Sequence, residues 1–128
     1  MKYLTAEQVL FIHARLIAET GGVHGELNLG LLQSAVARPQ ASFDGQDLYP
    51  DLFSKAAALL ESLIGNQAFV DGNKRTAITS SGLFLRINGY CLTSNNQELE
   101  EFTLQCAQHM VLLDQISVWF QSHSESMG

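Results

Sequence analysis

The chain has little basic charge: seven Lys and Arg stand against thirteen Asp and Glu, for a formal net charge of −6. A surface of that sign does not neutralise a phosphate backbone, so no direct nucleic-acid partner is expected. Cysteine is also scarce. Cys91 and Cys106 show neither zinc-site spacing nor a disulfide framework, which leaves two reduced thiols and no support for redox chemistry. No run approaches the roughly 18 uninterrupted apolar residues of a membrane span. Met1 to Thr5 leads into a helix start and not into a signal-peptide core, so no membrane contact is expected and the location expected is cytoplasmic. A length of 128 residues, 46% of them apolar, suffices for one core and not for two, which gives a single domain over 1–128.

What is present is helical spacing. Thr5-Ala6-Glu7-Gln8 is a capping-box pattern followed by Val9, Ile12, His13, Leu16 and Ile17, predicting a helix from Thr5 to Thr20 that Gly21-Gly22 stops. Asn28 caps a short helix through Leu32, Ala35 and Val36, and Arg38-Pro39 ends it. The stretch 40–49 lacks helical period and reads as a loop with a short extended flap near 42–49. Pro50-Asp51 opens an apolar helix ending near Gly65, and a central helix spans about 72–88, closed by Gly89. Its middle, Ala77 to Gly82, is nearly all small, as expected of a helix closely packed on its neighbours. Tyr90-Cys91-Leu92 reads as briefly extended. Asn95 or Asn96 caps a helix through Phe102, Cys106 and Met110, Asp114 caps a last one through Trp119 and Phe120, and 122–128 reads as a frayed tail. Signals for strands are sparse, so the fold class predicted is all-α: a compact bundle around the 72–88 helix.

The few cations are concentrated. Lys74 and Arg75 follow Asp71-Gly72-Asn73 where the central helix begins. Free backbone N–H groups and the positive end of a helix dipole hold phosphate there, and two side-chain cations add to them. A solvated turn explains the stretch less well, because cations in a first helical turn oppose the dipole. Asn73 stands where a Gly-Lys-Ser/Thr phosphate loop needs its lysine, and no strand precedes, so a P-loop nucleotidase is excluded. Asp71 is the candidate magnesium ligand. None of His13, His24, His109 and His123 shares metal-ligand spacing with another. His13 and His109 read as packing or surface residues, and Trp119 with Phe120 as core packing.

Phe69-Val70-Asp71-Gly72-Asn73-Lys74-Arg75 closely resembles the signature of the Fic/Doc superfamily, His-x-Phe-x-Asp/Glu-Gly/Ala-Asn-Gly/Lys-Arg. Leu31 to Gln40, Asp47-Leu48-Tyr49-Pro50 with Lys55-Ala56-Ala57, and Phe84 to Tyr90 extend the likeness toward the Doc branch, as does Lys74 where many Fic enzymes carry glycine. The resemblance implies a Fic-fold toxin of a bacterial toxin–antitoxin pair. It implies Asp71 on magnesium, the triphosphate of ATP on Gly72, Asn73, Lys74 and Arg75, and Phe69 anchoring the loop in the core. It further implies transfer of phosphate to a translation factor such as elongation factor Tu, with AMP transfer as the alternative. The antitoxin partner is expected to lay its C-terminal segment over the active-site face. The chain has no inhibitory Ser/Thr-x-x-x-Glu-Gly/Asn motif of its own.

One position departs from the signature. Gln67 stands in register with the family histidine, and an amide donates and accepts hydrogen bonds but takes up no proton near neutral pH. Loss of a general base lowers a rate on the order of a hundred- to ten-thousand-fold, so impaired transfer with surviving nucleotide binding is expected. A substitution that permits production of a toxic protein, or a natural pseudoenzyme that regulates by binding a protein, accounts for the exchange; the intact remainder of the site favours the former.

Overall fold

Among the residues that the computed structural model describes, 1–25 and 28–128, six α-helices and two small strand pairs are formed, so the chain is all-α in class. None of these helices is long and apolar enough to cross a membrane. Helix α1 (Ala6–Thr20) begins with the expected capping box: Gln8 N–H donates to Thr5 Oγ1 at 3.2 Å and Thr5 N–H donates to Gln8 Oε1 at 2.8 Å. Helix α2 (Leu29–Ala37) begins at Asn28, whose side chain accepts from Leu31 N–H, and runs into a 3-10 turn at Arg38–Gln40 that buries Pro39. The flap is a hairpin of β1 (Ser42–Phe43) and β2 (Gln46–Asp47), joined by Asp44 and Gly45 at φ 54° and 79°. Two successive positive φ values define the tight hairpin turn that Asp-Gly favours.

Helix α3 (Leu52–Asn66) starts at Asp51, which accepts from Ser54 N–H, and every residue from Lys55 to Leu60 is buried. A helix covered nearly all round lies inside the bundle, and α3 packs on α2, α4 (Asn73–Ile87), α5 (Asn96–Ala107) and α6 (Leu113–Ser122). The helix expected at the centre, α4, therefore shares the axis with α3. Thr76, Ala77, Ser80 and Ser81 are at most 1% exposed, so small side chains do permit the close α3–α4 approach.

Three details differ from expectation. The last residues are not a frayed tail: β4 (Ser124–Ser126) pairs antiparallel with β3 (Tyr90–Leu92), and Met127 N–H donates to Gly89 O at 2.8 Å. Ser-Glu-Ser has no apolar alternation to announce a strand, and its partner lies more than thirty residues back. Helix α5 stops at Ala107, short of Met110, before His109 at φ 57°. The cap of α6 is Leu112, with Asp114 inside the first turn, where its charge suits the dipole.

Candidate functional site

The loop from Gln67 to Gly72 joins the C-terminus of α3 to the N-terminus of α4. Gln67 ends α3 in the left-handed region, φ 46°, and is exposed. Phe69 turns inward and is 6% exposed. Asn73 closes the loop on itself: its Oδ1 accepts from Phe69 N–H at 3.1 Å and its Nδ2 donates to Phe69 O at 2.7 Å. The side-chain amide, expected on phosphate, is thus engaged at both ends in holding the loop, which leaves Asn73 its backbone N–H as a donor.

Gly72, at φ 80°, is the N-cap of α4, and no side chain caps that end. With glycine there, the first-turn N–H groups have no Ser, Asp or Asn oxygen competing for them. Lys74 and Arg75 occupy this turn, both exposed, and among the described residues neither forms an ion pair. Asp71 is exposed beside them. Its Oδ1 accepts from Gly72 N–H at 2.9 Å and its Oδ2 from Val23 N–H at a longer 3.3 Å.

These groups line one side of a cleft of about 920 Å³. Leu16, Ile17 and Glu19 of α1, Ile78 and Thr79 of α4, and Leu99, Glu100, Thr103 and Leu104 of α5 line it as well. Gly21-Gly22 crosses its edge. A Cβ on Gly22 would meet both Asp71 Oδ2 and Ile17 Cδ1 at 2.9 Å, so a side chain there would displace the Asp71 carboxylate or the Ile17 methyl. Asp71, Gly72, Asn73, Lys74 and Arg75 all line this cleft, whereas neither Gln67 nor buried Phe69 does.

Residues that sequence reasoning left aside complete the site. His13, read as packing, is 7% exposed and lies against the loop: its Nε2 is 2.8 Å from Asp71 O, and its ring stacks on Phe69 at 3.7 Å between centroids. The i, i+4 spacing of Val9, His13 and Ile17 marked this buried face of α1. No signal of comparable strength pointed to Glu19, Glu100 or Thr103.

Two perturbed groups lie outside the cleft. Burial opposes the charge of Arg38, but its contacts with Glu61 (2.8 Å) and Tyr49 (2.9 Å) outweigh burial and hold the guanidinium above its usual range. Burial, with a smaller contribution from the Glu61 charge, pushes the Cys106 thiol up to about 12.

The residues present fit a magnesium ion held chiefly by its ligand. Among the described residues no three His, Cys, Asp or Glu side chains converge on one point, and a single exposed carboxylate beside cations and open helix N–H groups is a donor set compatible with magnesium brought in by a phosphate ligand. The fold and the site define a class of helical bundles that open a cleft at an uncapped helix start, here lined by three acids and two cations. Within that class the chain belongs to the Fic/DOC family, whose model matches residues 3–85. It is 50% identical over 97 residues to a protein named Toxin Doc from Mycolicibacterium smegmatis, which covers 73% of this chain and 70% of that one. It is 32% identical over 107 residues to Protein kinase doc of Escherichia phage P1, covering 84% and 83%. These relatives place it on the Doc toxin side of the family.

Proposed function

We propose that the chain is a Doc-type toxin of a toxin–antitoxin pair, a nucleotide-dependent transferase that phosphorylates a protein of the translation machinery such as elongation factor Tu. The observation that carries this reading is the convergence of Asp71, Lys74, Arg75 and the open first turn of α4 on one cleft. The phage relative is named a protein kinase, which favours phosphate transfer over AMP transfer.

Lys74, Arg75 and the backbone N–H groups of residues 73–75 bind and orient the triphosphate of ATP. Asp71 would hold magnesium, which would supply charge neutralisation at the phosphate oxygens. Gln67 stands in the register of the motif histidine and takes up no proton from an acceptor hydroxyl, so the chain binds nucleotide and transfers slowly or not at all. An antitoxin segment laid across the α1, α4 and α5 walls would occlude the same cleft.

Incubating the Gln67→His variant with magnesium, elongation factor Tu and labelled ATP tests the reading. Label from the γ-phosphate on the target supports kinase action, and label from the α-phosphate supports AMP transfer. Absence of both sinks the transferase reading. If calorimetry then shows no ATP binding to either form while a small protein partner co-purifies, a non-enzymatic regulator is the better description; the exposed Gln67 outside the cleft lining favours keeping that second reading in the test.

A further inference from the structure

We propose that His13 is the positioning residue of this site, holding the Phe69–Gly72 loop from below in the shape that presents Asp71 and the start of α4 to a ligand; what the loop presents rests on the nucleotide reading above. The imidazole is buried, 7% exposed, on the inner face of α1. Its Nε2 lies 2.8 Å from the main-chain oxygen of Asp71. A carbonyl only accepts, so Nε2 carries the proton and donates, an assignment that follows from the partner's chemistry.

The ring also lies flat on Phe69, with centroids 3.7 Å apart and planes inclined by 7°. Its edge sits beneath Gly72, where an added Cβ would come within 3.6 Å of His13 Cδ2 and 3.7 Å of Nε2. One side chain thus contacts the first and third residues of the Phe69–Gly72 stretch, and its edge fills the space that a side chain on the fourth would need. Asn73 braces Phe69 from the α4 side, through 3.1 Å and 2.7 Å hydrogen bonds, and His13 braces the loop from α1. Simple core packing would be met by leucine or phenylalanine, neither of which donates to Asp71 O. An imidazole both stacks and donates, and the donated bond fixes the residue whose carboxylate faces the cleft.

Two variants separate those properties. His13→Phe keeps a ring against Phe69 and removes the donor; His13→Gln keeps an N–H at the reach of Nε2 and removes the ring. Amide exchange and magnesium–ATP titration are measured on the full chain and both variants. In His13→Phe, exchange at the Phe69–Gly72 amides rises about tenfold while α3 and α6 amides keep their protection, and magnesium–ATP affinity falls by about the same factor. His13→Gln recovers affinity to within about threefold of the parent. Unchanged loop exchange in His13→Phe overturns the proposal. So do faster exchange without loss of affinity, and equal losses in the two variants, which would make His13 a packing residue. If the parent chain does not bind magnesium–ATP, the nucleotide reading fails, and the exchange result alone decides whether His13 holds the loop.

Discussion

Gln67 holds a backbone conformation, φ 46°, that histidine and asparagine visit several times more readily than most residues and that β-branched residues avoid. Gln67→His should therefore fold as well as the parent, with a melting temperature unchanged within about 2 °C, whereas Gln67→Val should lose about 1–2 kcal/mol in urea denaturation. Equal stability of the two would show that the α3 terminus relaxes out of the left-handed region. A second residue-scale consequence concerns Cys106. Its folded pKa, about 12, lies above the unfolded value of about 8.5, so its contribution to stability is complete below pH 8.5 and is lost as pH rises toward 12. Stability of the parent should fall more steeply with pH than that of Cys106→Ala over this window. Parallel pH curves for the two proteins would refute it. At this scale the sequence shows residue types but not their partners. Asn73 sits in a phosphate-binding motif, yet its amide is spent on Phe69 four residues back; His13 marks an apolar face, yet spacing within α1 says nothing of a loop 58 residues away.

Among the elements, the flap hairpin is the one whose attachment can be traced to a single buried charge. Lys55 on α3 is 3% exposed, and its Nζ donates to Pro39 O and to Asp47 Oδ2, each at 3.2 Å. Because Asp47 belongs to β2, this cation ties the flap to the most buried helix of the bundle. The ammonium lies in the interior while its partner is half in water, so removing Asp47 leaves the cation under-compensated and removing Lys55 leaves a tolerable, solvated carboxylate. Asp47→Ala should destabilise by about 1–3 kcal/mol in chemical denaturation, more than an exposed acid normally contributes. Lys55→Met, which retains the buried stem, should lose less, while its Leu48 N–H, donating to Ala41 O at 2.9 Å, exchanges faster as the flap loosens. A larger loss from Lys55→Met than from Asp47→Ala would show that the ion pair is not the tie. The helices and the flap were legible because caps and turn residues act locally: Thr5 with Gln8, Asn28, Asp51 and Asp44-Gly45 each satisfy or shape backbone within a few residues. The β3–β4 pair was not, since Ser124–Ser126 becomes a strand only through Tyr90–Leu92.

For the molecule as a whole, a net charge of −6 surrounds a cleft lined by Lys74 and Arg75 and also by Glu19 and Glu100. An anionic ligand is therefore attracted by the two cations and repelled by the acids of the lining and by the general field. Replacing Lys74 or Arg75 with Gln should lower magnesium–ATP affinity about ten- to a hundredfold, because hydrogen bonds to charged groups contribute about 1.5–3 kcal/mol. Glu100→Gln should act in the opposite direction. Two unit charges about 8 Å apart in water interact by about 0.5 kcal/mol, so removing that repulsion should tighten binding about twofold at low salt, and the gain should vanish near 1 M salt, where screening acts within about 3 Å. Glu7 provides the control: it is exposed on the first turn of α1 and lines a different hollow, with Phe11 and Leu83. Glu7→Gln makes the same change in net charge without a place in the cleft. Calorimetric titrations of both variants across a salt series distinguish the cleft acid from the overall field. If Glu100→Gln and Glu7→Gln tighten binding equally, the acid in the cleft lining has no local role, and the cleft's preference is set by its cations alone.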